Sequence, residues 1–365
     1  MRKLIVGILI LFMTGLVMNE AHAQLSRKKL KKNNKRMSKF KGKKNGFDKN
    51  KKYNYIGVTL NSFNYFGDLS PLPDKISTDI KFTRPAVGLT FGHRFGPRYT
   101  VRGEFRVGTL RGSDFASADA TDANAKFRYV RNLQFKNRVK ELTVTGVFDL
   151  FKNSSTYINR VPLTPYAFVG VTAYLHNPQA FVGDDGPSDT GTWVDLQPLG
   201  TEGQNLDLVQ AHSDLGIEDE HPNAGIEPYK TLQIAVPFGI GVRYKFNEVF
   251  DFSFEMGARI LFTDYIDDVS GNYVDVTLFD DPLTAYLSDR SREVNDAESG
   301  TARDGEAVGA VTGGLLGQGV PFSGYGEQYN KDNIRGNSND NDYYFVTTFR
   351  LSYVLGASFR KAKFR

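Results

Sequence analysis

The chain has no cysteine, few histidines and, past its first two dozen residues, no long apolar run. Without cysteine there is no disulfide scaffold, no Cys-ligated zinc, no iron–sulfur cluster and no thiol nucleophile. Five histidines, one of them (His22) in a segment expected to be removed, leave few candidates for imidazole metal sites or triads. A mean hydropathy of −0.38 and the lack of any later 18-residue apolar stretch exclude a helical membrane protein. An aromatic content of 13% excludes a chain disordered throughout.

The formal charge of +5 is unevenly spread. Residues 25–52 hold 14 Lys/Arg against a single acid, so the basic pI belongs to one short segment and the rest of the chain is acidic. Bulk basicity therefore does not point to nucleic acid. The start of the chain reads as an export signal: Arg2 and Lys3, an apolar stretch from Leu4 to Met18, then Ala21-His22-Ala23 as a small-x-small cleavage site. The apolar stretch falls short of the roughly 20 residues that span a bilayer. The organisation expected is a signal peptide over 1–23, a basic arm over 24–52 and a barrel over 53–365.

From Tyr53 onward the dominant period is two, the signature of strands with two unlike faces. Tyr99, Val101, Phe105 and Val107 share one face, and Arg102, Glu104 and Arg106 the other. Phe252, Phe254, Met256 and Ile260 likewise oppose Glu255 and Arg259, while Phe349 and Leu351 oppose Arg350. Eight such segments are predicted, near 53–66, 84–95, 99–111, 133–150, 163–176, 230–246, 249–264 and 343–359. Several exceed the ~9–11 residues a tilted membrane-spanning strand needs. The fold class expected is all-β: an eight-stranded antiparallel transmembrane barrel in the outer membrane, apolar outside and polar inside. Arg102, Glu104, Arg106, Arg243, Glu255, Arg259 and Arg350 are the interior candidates. Charges so buried are costly unless paired, so they should form a mutually neutralising plug rather than line a wide pore. Tyr53, Tyr55, Tyr99, Tyr166, Tyr174, Tyr244, Tyr265 and Tyr353 fall near strand ends or between strands, where an interfacial girdle is expected.

Connections alternate between short (96–98, 247–248, with 151–162 moderate) and long (67–83, 112–132, 177–229, 265–342). Short turns belong to the periplasmic side of such barrels, which puts both termini in the periplasm. The arm, with Lys28, Lys29, Lys31, Lys32, Lys35 and Arg36, is then a solvated segment suited to an anionic periplasmic partner: peptidoglycan, lipid headgroups or an acidic protein face. The long loops are acidic, with 11 acids and no Lys or Arg in 177–229, and a charge run of this kind is expected to be a solvated surface. Asp264, Asp267 and Asp268 form the best oxygen-ligand cluster for calcium, the one cofactor considered. His176, His212 and His221 have no spacing that forces them together, and no serine sits in a G-x-S-x-G context, so no enzyme activity is expected. The glycine-rich piece 309–317 lacks the lysine of a phosphate loop and reads as an apolar loop tip.

Five phrases carry a family resemblance: Asn64-Tyr65-Phe66-Gly67-Asp68-Leu69, Thr164-Pro165-Tyr166-Ala167-Phe168-Val169-Gly170, the stretch from Leu196 to Gln204, Pro237-Phe238-Gly239-Ile240-Gly241, and the stretch from Thr263 to Tyr273. As a set, over roughly 53–275 and the last strand, they resemble the PorG-like outer-membrane barrels of the Bacteroidota, associated with the type IX secretion apparatus. The resemblance implies a non-enzymatic barrel that docks periplasmic secretion-ring proteins to the outer membrane. A small passive porin and a surface ligand-binding or adhesion barrel are the alternatives.

Overall fold

The computed structural model describes residues 47, 51–69, 82–123, 125–312, 324 and 333–355. The expected signal peptide and nearly all of the basic arm, including Lys28 to Arg36, lie outside the described residues.

Eight long strands form the wall: β1 (Tyr53–Phe66), β2 (Arg84–Arg94), β3 (Tyr99–Ser113), β4 (Gln134–Asp149), β5 (Leu163–Leu175), β8 (Leu232–Lys245), β9 (Phe250–Leu261) and β10 (Tyr343–Leu355). Each pairs antiparallel with its neighbours in the order β1-β2-β3-β4-β5-β8-β9-β10, and β10 returns to β1. The ring is closed, so no barrel edge is left to recruit another chain. Between β5 and β8 the ladder skips Gly170 and Val171 where Pro237, which has no N–H to give, faces them. Two short strands, β6 (Pro178–Phe181) and β7 (Trp193–Asp195), form a hairpin that extends the upper end of β4 through Lys136 and Asn137.

Side chains alternate as the period required. Ile240 and Leu60 are 68% and 65% exposed, and Leu89, Leu142, Val171, Phe254 and Phe349 join them on the outer wall. An apolar band around a whole ring is far larger than a water-soluble monomer exposes and is what hydrocarbon solvates. Among the described residues no helix is long and apolar enough to cross a membrane. Glycines in the inward phase leave room for rings: a Cβ on Gly92 would lie 2.1 Å from the ring of Tyr55.

The short-turn end is tied by Arg160, whose guanidinium donates to the Glu248 carbonyl at 2.8 Å and to Asp251 at 2.8 Å, joining the 150–162 connection to the turn before β9. At the opposite end the long connections fold into a cap. Helix α1 (Asp114–Ser117) and α2 (Ala125–Arg131) follow β3, α3 (Leu208–Asp214) precedes β8, and α4 (Pro282–Ser288) and α5 (Gly305–Thr312) precede β10. Leu283 and Leu287 of α4 pack on Ala180, Val182 and Leu196 of the hairpin region, and Val308 of α5 on Tyr129 and Val130 of α2. The expected apolar loop tip at 309–317 is thus a helix as far as Thr312; the residues after it lie outside the described set. Beneath the cap, Phe63, Tyr65, Leu69, Leu110, Phe135, Ile266 and Tyr344 close the barrel mouth as one apolar cluster.

Candidate functional site

The middle of the lumen is crossed by ion pairs. Arg102 lies 2.5 Å from Glu255 and 3.1 Å from Glu104. Arg350 reaches Glu104 at 2.5 Å and also bonds Glu255. Arg106 bridges Glu104 at 2.8 Å and Glu141 at 3.2 Å, and Arg259 approaches Glu141 at 3.6 Å. The Tyr166 hydroxyl donates to Glu255 at 2.5 Å and that of Tyr344 to Glu141. Nearer the short-turn end Arg94 and Arg243 share Asp149, at 2.5 and 3.3 Å. Each buried guanidinium faces a carboxylate that offsets its desolvation, so removing one partner leaves an uncompensated ion.

All seven interior candidates face this lumen. Arg102, Glu104, Arg106, Glu255, Arg259 and Arg350 join the central network, and Arg243 the layer below. The sequence reading missed Glu141, Asp149 and Arg94. Glu141 was legible, since it shares its phase on β4 with Val139, Thr143 and Thr145 while Lys140 and Leu142 point out. The tyrosine girdle needs correction. Tyr53, Tyr55, Tyr166 and Tyr174 are buried, because strand phase, not nearness to a strand end, decides the face. Tyr99, Tyr244 and Tyr353 do point outward, and Tyr265 stacks on Tyr229 at 4.9 Å within the cap.

The base of the cap is a second polar centre, assembled from distant segments. Glu202 accepts from the backbone N–H groups of Ser270 and Gly271, both at 3.0 Å, and pairs with Arg335 at 2.8 Å. Arg335 also donates to the Asp268 carbonyl at 2.7 Å and the Ser288 carbonyl at 3.1 Å. Asp268, held at a left-handed φ of 73°, turns its carboxylate to the Thr201 and Tyr229 hydroxyls at 2.5 and 2.6 Å. Arg131 clamps Asp114 through two nitrogens at 2.7 and 2.9 Å and reaches the carbonyls of Asp68 and Arg335. Arg303 donates to four carbonyls, of Tyr129, Val130, Ser291 and Glu293. The acidic loops are therefore not merely a solvated surface: buried arginines convert part of their charge into tie-points.

Four carboxyls gather beside this centre. The Tyr65 hydroxyl meets both Asp267 and, at 3.1 Å, Asp342. One phenolic proton cannot serve both, so one carboxyl contributes a proton of its own. Burial, then the neighbouring carboxylates, push Asp264 up to about 9, and burial holds Asp267 and Asp342 well above the usual carboxylate range. Burial raises Asp68 as well. Asp268 rises only to about 6, because Arg335 opposes its burial.

The calcium reading on Asp264, Asp267 and Asp268 does not assemble. Asp267 turns to Tyr65 and the Val269 N–H, and Asp268 to Thr201 and Tyr229. Among the described residues no group of three or more His, Asp or Glu is arranged to hold a metal ion. His212 and His221 meet edge to face at 4.9 Å, while His176 stacks on Tyr229. Burial drives His176 and His221 down to about 4. His221 accepts from the Asn223 N–H through Nδ1, which leaves Nε2 to donate to the Tyr273 carbonyl at 3.3 Å.

A closed antiparallel ring, apolar outside and crossed by ion pairs inside, defines a membrane-spanning barrel of the outer-membrane type. Residues 45–192 match the family model described as a domain of unknown function, DUF6089. No curated protein matches the chain. Among solved structures the chain is similar to the N-terminal β-barrel domain of Pseudomonas aeruginosa OprF, with 7% identity and a TM-score of 0.29 over 83% of this chain and 98% of that one. Ail, the attachment invasion locus protein of Yersinia pestis, seen with the heparin analogue sucrose octasulfate, gives 8% and 0.30 over 83% and 97%. Neisserial surface protein A gives 7% and 0.31 over 82% and 96%. Likenesses this distant carry nothing about function.

Proposed function

We propose that this protein is a non-enzymatic anchor of the outer membrane, with both termini in the periplasm and the basic arm over 24–52 docking periplasmic components of a type IX-like secretion machine. The observation that carries the reading is the filled lumen. Arg102, Glu104, Arg106, Glu141, Glu255, Arg259 and Arg350 occupy the cross-section that a porin would leave to water, and the apolar cluster under the cap closes the mouth. A rigid, plugged cylinder suits a fixed point of attachment better than a passive pore. The resemblance to the PorG-like barrels supports the same assignment, and the cationic arm suits an anionic partner, whether a ring protein or peptidoglycan.

Copurification after crosslinking tests the docking role. Deletion of 24–52 should strip periplasmic secretion proteins from a barrel that still migrates as heat-modifiable; unchanged recovery would remove the arm from the account. Planar-bilayer recording tests the plug, and steady ohmic channels from the intact chain would favour the porin instead. The folded cap supports a second reading, a surface-binding barrel, which predicts that cap deletion spares secretion but abolishes surface attachment.

A further inference from the structure

The outer wall is not uniform. The outward positions of β1, β5, β8, β9 and β10 carry no Lys or Arg, and neither do those of β2 from Pro85 to His93. On β4 the three outward positions nearest the cap are Lys136, Arg138 and Lys140, followed by Leu142 and Val144 in the apolar band. Arg111, the last outward residue of β3, is the direct partner of Lys136. Four cations therefore stand side by side on two adjacent strands. Arg111 and Lys136 stand opposite each other, and Arg138 and Lys140 follow at steps of about 6.6 Å down β4, with Lys140 opposite Val107, level with Leu175 and just above Leu142.

Arg111 pairs with Glu298, whereas Lys136, Arg138 and Lys140 have no carboxylate within ion-pair reach among the described residues. The chain's single tryptophan, Trp193, stands at the same place: Lys136 lies 3.9 Å from its ring centre and Arg111 5.7 Å. Tryptophan is the residue that settles at the boundary of hydrocarbon and water. Beside it a groove of about 440 Å³ is lined by Arg138, Lys140, His176, Gln179 and Gln197; its one acid, Asp195, is engaged by the Gln179 amide at 2.6 Å.

We infer that this face of β3 and β4 binds the phosphates of a phosphorylated glycolipid in the outer leaflet. The cations face sideways into the membrane rather than up into the medium, which suits a lipid and not a soluble acidic protein. Directly below them the wall is apolar, so acyl chains and headgroup can be seated by one molecule. Three cations lacking a carboxylate partner on one strand match a headgroup with more than one phosphate. The choice of leaflet rests on the orientation proposed above, with the cap outside.

Native mass spectrometry of the full chain in neutral detergent, titrated with bisphosphorylated lipid A, reads this directly. The triple substitution Lys136→Gln, Arg138→Gln, Lys140→Gln should weaken binding by about two orders of magnitude, at roughly 1 kcal/mol for each cation removed. Lys152→Gln, at the short-turn end, should change nothing. Dephosphorylated lipid A should bind the native protein no better than lipid A binds the triple variant, and phosphatidylglycerol should bind more weakly than lipid A. Heat-modifiable gel mobility reports whether the variant still forms a barrel; if the triple variant does not, Arg138→Gln alone takes its place, with about a fivefold loss expected. Equal lipid A binding by native and substituted protein overturns the inference, as does indifference to phosphate or an equal affinity for phosphatidylglycerol. Orientation is read separately, by an impermeant maleimide on intact cells carrying Ser213→Cys in the cap or Ser154→Cys at the short-turn end. Labelling only at 154 would refute the orientation whatever the lipid result.

Discussion

Arg350 on the last strand and Glu104 on the third, 246 positions apart in sequence, meet at 2.5 Å across the lumen. No local interaction brings them together; closure of the ring does. The pair is one link in a chain that runs from Glu255 through Arg350 and Glu104 to Arg106 and Glu141, so the plug and the cylinder stabilise each other.

Substitution at Glu255 should reveal that coupling. Its carboxylate accepts from Arg102, Arg350 and Tyr166 at once. Glu255→Gln leaves two guanidiniums short of a counter-charge and should cost about 3–5 kcal/mol. Urea unfolding in detergent micelles, followed by gel mobility, measures it. Pairing the change with Arg350→Met should recover part of the loss, since the one excess positive charge then disappears; a strictly additive double variant would contradict the network.

The outer wall calls for the opposite chemistry. Ile240, 68% exposed near the middle of β8, lies in the band assigned to hydrocarbon. Ile240→Arg should destabilise the folded barrel in lipid vesicles by about 2–4 kcal/mol. A soluble sandwich would tolerate the same change within about 0.5 kcal/mol, so the measurement separates the two environments.

Much of this cylinder was legible from the period-two pattern alone, because a strand that meets hydrocarbon on one side and ion pairs on the other must alternate strictly. The predicted segments fall within a few residues of the observed strands, except that 356–359 of the last lie outside the described residues, and Arg102, Glu104 and Arg106 are on the expected face. Tyr53, Tyr55, Tyr166 and Tyr174 were misplaced because tyrosine suits either environment: its ring fits an interface, and its hydroxyl equally serves a buried carboxylate. The cap was not legible. Acidic stretches look solvated until their partners are known, and the partners of Glu202 and Asp268 include Arg335, more than sixty positions away. Nothing local in 196–204 or 263–273 announces that the two stretches meet.

Arg335 is the residue whose loss should open the cap without opening the barrel. It bonds Glu202, the Asp268 carbonyl and the Ser288 carbonyl, so it ties the stretch before β10 to the β5–β8 connection and to two other parts of its own connection. Arg335→Gln should raise the rate of limited proteolysis within 196–304 by at least about tenfold, the equivalent of 1.4 kcal/mol of local opening. Heat-modifiable mobility should persist, because the ring and its lumen network are untouched.

The carboxyl group of Asp264 should make the same region sensitive to alkali. One of its oxygens is buried without a hydrogen-bond partner, and burial beside Asp267 and Asp68 pushes its pKa up to about 9 from an ordinary 3.8. A carboxyl raised in the folded state favours folding fully only below the ordinary value. The unfolded chain ionises first, so the advantage declines as pH climbs from about 4 and is lost through about 9. Asp267 and Asp342, raised in the same direction, add to the trend. Limited proteolysis of the cap should accordingly be slow at pH 5 and faster by pH 9.5, and Asp264→Asn, which cannot ionise, should flatten the profile and protect the cap at the alkaline end. A cap equally resistant at both pH values, or an Asn variant with an unchanged profile, would mean that these carboxyls share their charge with a group the present arrangement does not include.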